Sequence, residues 1–235
     1  MKIKTLTASL LLASTIGSVA SINAQELEVT VTNLTQGLYY TPIIISAHNA
    51  DMSLYELGQA ASPELQMMAE GGDISGLSTL LTAANANTTE NPAGGLLAPA
   101  ISTTAMLSTT EGNNYLSLTA MLLPTNDGFV GLNGWEIPTE AGTYTFTLNA
   151  YDASTEANDE IINGGGAPGV PGIPAAPGGD AGTGGTGVTS VETNKTVHVH
   201  RGSLGDDNLT GGKSDVSNTV HRWLNPVARV IVKVM

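Results

Sequence analysis

The chain has 235 residues, of which 41% are hydrophobic and only 4% aromatic, with no cysteine and a formal net charge of −13. Between Gln25 and Asn194 there are 18 Asp and Glu and not one Lys or Arg, whereas Lys195, Arg201, Lys213, Arg222, Arg229 and Lys233 all fall in the last 41 residues. Such a chain repels nucleic acid and anionic lipid and attracts cations, and a disulfide framework is excluded outright.

Residues 1–24 read as a secretory signal peptide. Lys2 and Lys4 make a basic start, Leu6 to Ala20 is an apolar run, and Ala24, or Ala20, offers the small residue at a cleavage point. No other stretch approaches the roughly 20 apolar residues of a spanning helix. The expectation is an exported protein, periplasmic or extracellular, with no transmembrane anchor. Residues 25–235 then suit a single β domain.

In chain order, residues 26–33 alternate Leu27, Val29 and Val31 against Glu28, Thr30 and Thr32, a first strand. Leu38 to Ala47 is a second apolar segment, with Pro42 at an edge or bulge. Ser62, Pro63 and Glu64 form a helix start and Gly71-Gly72 a stop, with Leu65, Met68 and Ala69 facing inward. A second short helix is expected from Ser75 through Ala84, a loop over residues 85–99, and a strand over Ile101 to Ser108.

Leu116 to Gly131, LSLTAMLLPTNDGFVG, organises the rest. Leu116, Leu118, Ala120 and Leu122 face one way and Ser117, Thr119 and Met121 the other, a strand with one face in a core. Pro124 ends the ladder and Asn126-Asp127-Gly128 turns the chain, so a carboxylate sits at the tip of a core strand. Thr143 to Tyr151 is a further alternating strand that also ends in an acidic corner, Asp152 to Glu156. Two such tips suggest a cation site at one end of a β-sandwich.

Residues 163–187 are rich in Gly and Pro without a strict three-residue period, which excludes collagen and points to a long flexible surface loop within the domain. Order returns at Thr196 to His200, and Val227 to Val234 is the last strand.

The order of these pieces resembles the spondin domain, the module of F-spondin and mindin that also occurs as a stand-alone secreted protein in bacteria. The resemblance rests on VTVTNLT, SAHNADMSLYELGQAASPELQMMAEGGD, LLPTNDGFVGLNG, YDASTEAND and NPVARVIVKV, in that order. It implies a mainly β fold, a C2-like antiparallel β-sandwich, here with one or two short helices and the Gly/Pro-rich loop. It also implies a calcium ion (Ca2+) at one end, with Asp127, Asp152 and Glu156 as ligands. An adhesion-like role follows by the same resemblance, with an extracellular or cell-surface protein or glycan as partner. The chain departs from the family pattern at Gly128, where an aromatic is expected, at Ser154 in place of Gly, and at Glu156 in place of Asp.

A hard divalent cation wants about 6 to 8 oxygens, and neighbouring loop carboxylates repel unless a cation neutralises them. The competing reading is that these residues are ordinary turn caps, with Asp159 and Glu160 in reserve. A rival metal site is His198-x-His200, whose rings share a face on a strand and could chelate zinc or copper, with His48 or His221 completing it. A third reading is a structural envelope protein with no specific ligand. Gly202 to Leu209 resembles one turn of a glycine- and aspartate-rich calcium β-roll, but a lone turn cannot share ions with neighbours. Asn33, Asn87, Asn194 and Asn208 open N-x-Ser/Thr sequons. No G-x-S-x-G, H-E-x-x-H, P-loop or cysteine nucleophile occurs, so the chain is not expected to be an enzyme.

Overall fold

The computed structural model describes residues 24–175 and 182–235, so the signal-peptide reading falls outside the described residues except for Ala24. Its centre is the strand β6, Tyr115–Leu123, in which every residue after Tyr115 is buried. The alternation predicts one core face for this strand; the structure covers both. One face, with Leu116, Leu118, Ala120 and Leu122, packs into the gap between two sheets. The other, with Met121, lies under the helices α1 (Pro63–Gly71) and α2 (Ser75–Ala83), together with Leu65, Met68, Leu77 and Leu81. Its polar residues are satisfied there: Thr119 Oγ1 donates to the Val130 carbonyl at 3.0 Å, and Ser117 Oγ bonds His48 Nε2 at 2.7 Å.

The smaller sheet has the order β5-β1-β11-β8, built from Ser102–Ser108, Glu26–Asn33, Ala228–Val234 and Gly142–Leu148. The larger has the order β10-β9-β7-β6-β3-β4, from His198–Val199, Ala150–Asp152, Gly128–Glu136, β6, Ile44–His48 and Asn87–Glu90, with β2 (Tyr39–Tyr40) also paired to β6. Every named strand pairing is antiparallel. This is a β-sandwich, as the strand pattern and the resemblance led us to expect. Its shared core takes Val29 and Val31 from β1, Val230 and Val232 from β11, and the inward face of β6. Each fully buried aliphatic side chain of this kind contributes about 1.5–3 kcal/mol.

The caps of α1 agree with the sequence. Ser62 Oγ accepts the Leu65 N–H at 3.1 Å, and Gly72, at φ 72°, closes α1 in the left-handed region.

Several boundaries differ for physical reasons. Pro42, with no N–H for a ladder, falls between β2 and β3 and divides the second apolar segment in two. The expected loop over 85–99 contains β4, whose Asn-Thr-Thr-Glu sequence hides it because it is an edge strand with little burial. The alternating run from Thr143 to Tyr151 is two strands. At Asn149 the chain leaves β8 in the smaller sheet and continues as β9 in the larger, where Tyr151 pairs with Phe129 and Asp152 with Gly128. That crossing carries Asp152 to the tip where Asp127 stands.

The described parts of the Gly/Pro-rich segment are tied to the body. Ile173 is fully buried and bridges Ile162, and Gly169 N–H donates to Glu70 Oε2 at 2.6 Å. On the far side, Asp215 Oδ1 accepts the Thr183 and Gly185 N–H groups at 2.9 and 2.7 Å.

Candidate metal centre

Pro124 to Asp127 form the turn from β6 to β7. Thr125 Oγ1 accepts the Gly128 N–H at 3.0 Å, which turns the chain and leaves the Asp127 side chain pointing into the protein, fully buried. Asp127 Oδ2 accepts the Thr155 and Glu156 N–H groups at 2.7 and 3.3 Å, so the first tip grips the backbone of the second corner. That corner begins at Asp152, whose Oδ1 takes the Ser154 N–H at 2.7 Å. Ser154 has φ 59°, the left-handed conformation that glycine adopts most readily, which accounts for the glycine expected there. Glu156 reaches under the Gly/Pro segment, and its Oε2 accepts the Gly172 N–H at 2.8 Å.

Each of two carboxylates therefore has one oxygen engaged and one without a partner. Asp127 Oδ1 and Glu156 Oε1 are buried and accept no hydrogen bond. Burial, the neighbouring Asp152 and, less strongly, Glu156 push the Asp127 carboxyl up to about 8, against the pull of the Thr155 and Glu156 N–H groups. Burial pushes Glu156 up to about 7, with the Gly172 N–H opposing. Among the described residues no Lys or Arg forms an ion pair with this corner; the imidazoles of His198 and His200 stand beside Asp152.

The two reserves differ from spare ligands. Both oxygens of Glu160 are taken, by the Leu204 and Gly205 N–H groups at 2.5 and 2.9 Å, and Ser214 Oγ adds a third bond at 2.6 Å. Asp159 Oδ1 accepts from Asn126 Nδ2 and from the Ile161 N–H. Asn126, which sequence reasoning passed over as a turn residue, is the clasp between the tips: its Oδ1 also accepts the Glu160 N–H at 3.1 Å.

The histidine pair lies beside this corner. His198 pairs with Asp152 across β9 and β10, and the two Nε2 atoms stand 3.8 Å (His198) and 4.0 Å (His200) from Asp152 Oδ2. The rings share a face, as the spacing predicts, but the carboxylate between them is one of the residues assigned to calcium. Gly128 makes room for this: a Cβ there would lie 2.8 Å from Thr125 Oγ1 and 3.1 Å from His200 Cδ2. The departure from the family's aromatic thus coincides with the presence of His200. Burial holds the His200 imidazole down at about 4, although Asp152 pulls it upward.

His48 and His221 do not join the pair. His48 bonds Ser117 Oγ and the Asn49 carbonyl and pairs with Tyr115, at the end of β6 away from Asp127. His221 Nδ1 takes the Ser217 N–H at 2.9 Å. The β-roll-like stretch is a capped loop in which Asp206 accepts the Asn208, Lys213 and Ser214 N–H groups. Asn33 spends its amide on the Leu38 and Leu97 carbonyls inside the fold, which removes it as a glycan acceptor in the folded chain.

A calcium ion fits this donor set in kind: hard carboxylate oxygens, two of them buried without partners, and among the described residues no Lys or Arg ion-paired to them. Among the described residues no three His, Asp or Glu side chains are already gathered around one point at ligating distance. An ion here would draw the two corners together and complete its shell with backbone carbonyls and water.

The family model described as Spondin_N matches residues 32–160, more than half of the 235 residues. The matched span includes both acidic corners and ends before β10 and β11. No curated protein matches the chain.

Proposed function

The chain belongs to the Spondin_N family, whose members are secreted, extracellular domains, and on that premise we propose that it is a calcium-ordered binding module. Asp127, Asp152 and Glu156 would hold the ion. Its chemistry there would be electrostatic: it would neutralise carboxylates that otherwise repel and fix the corner loops in one arrangement. The loops at that end of the sandwich would then form a stable face for an extracellular or cell-surface protein or glycan. The family is not known for enzymatic activity, and among the described residues no helix is long and apolar enough to cross a membrane.

The observation that carries this reading is the pair of unpartnered buried oxygens, Asp127 Oδ1 and Glu156 Oε1. Leaving a charged group buried and unsatisfied is costly, and a cation drawn between the two corners would remove that cost. Thermal unfolding of the chain from residue 25 in EDTA, and again with added calcium, tests it. A site filled at 100 times its dissociation constant adds about 2.7 kcal/mol of stability. Asp127→Asn should abolish the gain, whereas His198→Ala should keep it. A melting temperature indifferent to calcium would overturn the proposal. Asp152→Asn is a poor discriminator, because Asp152 also faces the histidines.

A further inference from the structure

Beside the carboxylate corner, Asp152, Asn158, His198 and His200 line one wall of a cleft of about 340 Å³. The proton on each imidazole can be assigned from its partners. His198 Nδ1 lies 3.0 Å from the Thr196 carbonyl and 3.0 Å from Ser154 Oγ, while Ser154 Oγ donates to that same carbonyl at 2.7 Å. A carbonyl only accepts, so the His198 proton sits on Nδ1 and its Nε2 presents a lone pair. That lone pair lies 3.8 Å from Asp152 Oδ2, which accepts one hydrogen bond, from Asn158 Nδ2 at 2.7 Å, and keeps a second lone pair. Bonds of about 2.0–2.1 Å at a tetrahedral angle put two ligand atoms roughly 3.4 Å apart, so a shift of about half an ångström lets one ion join this pair.

His200 is the complement. Its Nδ1 accepts the Gly202 N–H at 3.0 Å, which leaves the ring proton on Nε2. This Nε2–H is buried, has no acceptor, and lies 4.0 Å from Asp152 Oδ2.

We infer that the cleft binds a divalent transition-metal ion, zinc or copper, through His198 Nε2 and Asp152 Oδ2, with the His200 Nε2–H donating to a solvent oxygen on the ion. A ligating imidazole whose other nitrogen donates to a backbone carbonyl is held in the correct tautomer and made more basic. A nitrogen donor selects zinc or copper over calcium, which takes oxygen ligands. Two protein ligands leave the remaining positions of the ion open toward the cleft. Asp152 is common to the calcium reading and to this one, so Asp127 and His198 are the residues that separate them.

The test is zinc titration by calorimetry and copper EPR on the chain from residue 25, in buffer containing millimolar calcium. One equivalent of zinc should bind to the wild type and to Asp127→Asn. His198→Ala should abolish it, and His200→Ala should weaken it by about 10- to 100-fold while retaining it, as expected for a residue acting on the ion's solvent. The copper spectrum should show coupling to one nitrogen, absent in His198→Ala. Circular dichroism establishes that each variant folds, and His198→Gln serves if the alanine variant does not. The inference is overturned by a wild-type copper spectrum without nitrogen coupling, by zinc binding that survives loss of His198, or by binding that His221→Ala removes.

Discussion

Replacing Asp127 with Asn should make the calcium-free protein more stable, and increasingly so as the pH rises. Asp127 is fully buried beside Asp152 and has one oxygen without a partner. Its carboxyl stands at about 8 in the folded chain, against an ordinary value of about 3.9. Between those two values the folded chain holds a proton that the unfolded chain has released. Stability is therefore intact at acid pH and declines as the pH rises, the reverse of a salt-bridged carboxylate. Each pH unit in that window costs about 1.4 kcal/mol, so moving from pH 5 to pH 8 removes about 4 kcal/mol. Glu156, held at about 7, adds to the decline over the lower part of the range. A loss of that size is a large fraction of the roughly 5–15 kcal/mol of a typical domain. The assay is urea unfolding in EDTA at pH 5, 6, 7 and 8, for wild type and Asp127→Asn. The wild type should lose stability with pH, and the variant should show a slope shallower by about one proton. Calcium, which competes with the proton, should stabilise the wild type more at pH 8 than at pH 5. A metal-free wild type as stable at pH 8 as at pH 5 would refute the reasoning, as would a slope that Asp127→Asn leaves unchanged.

Two further expectations concern the surrounding frame. Gly128→Ala places a methyl group against Thr125 Oγ1 and the His200 ring; it should cost about 1–3 kcal/mol by denaturant unfolding, the usual range for overpacking, and a neutral outcome would mean that the tip relaxes freely. Asp215→Asn disrupts the carboxylate that collects the Ile162, Thr183 and Gly185 N–H groups and should cost about 1–3 kcal/mol, with new proteolytic cleavage near residues 182–187. Although burial opposes it, those N–H groups hold Asp215 below the usual carboxylate range. Its contribution should therefore persist from neutral pH down to about 4 and be lost on further acidification.

The strands were legible wherever one face meets the core and the other meets water. β11 is the clearest instance, with Ala228, Val230, Val232 and Val234 buried and Arg229 and Lys233 exposed. β6 was legible as a strand but not as one buried on both faces, because its own period cannot reveal that α1 and α2 lie over Met121. The break at Asn149 was hidden for a related reason: alternation continues through the crossing while the partner changes from β11 to β7. At the site, the sequence pointed to Asp127, Asp152 and Glu156 through motif order, and to His198 and His200 through spacing. It could not show that Asp152 faces both histidines, since that depends on β9 pairing with a strand 46 residues later. Asn126 and Ser154 carried signals that could have been followed: an amide between two acidic corners, and a serine where the family places glycine.

The order in which the smaller sheet is wired constrains how the molecule can be made. β1, the first strand, lies between β5 and β11, and β11, the last, lies between β1 and β8. Leu27 pairs with Val234 and Asn33 with Ala228, so about half of the first strand's hydrogen bonding waits for the final residues. Long-range closures of this kind slow folding. A chain emerging from its N-terminus can bring β6 and β7 together early, but its sandwich has an unfilled slot, edged by β1 and β8, until Ala228–Val234 arrives. The fold therefore cannot close before Ala228–Val234 is in place, and deleting that strand should leave a chain that fails as a whole rather than frays at one end.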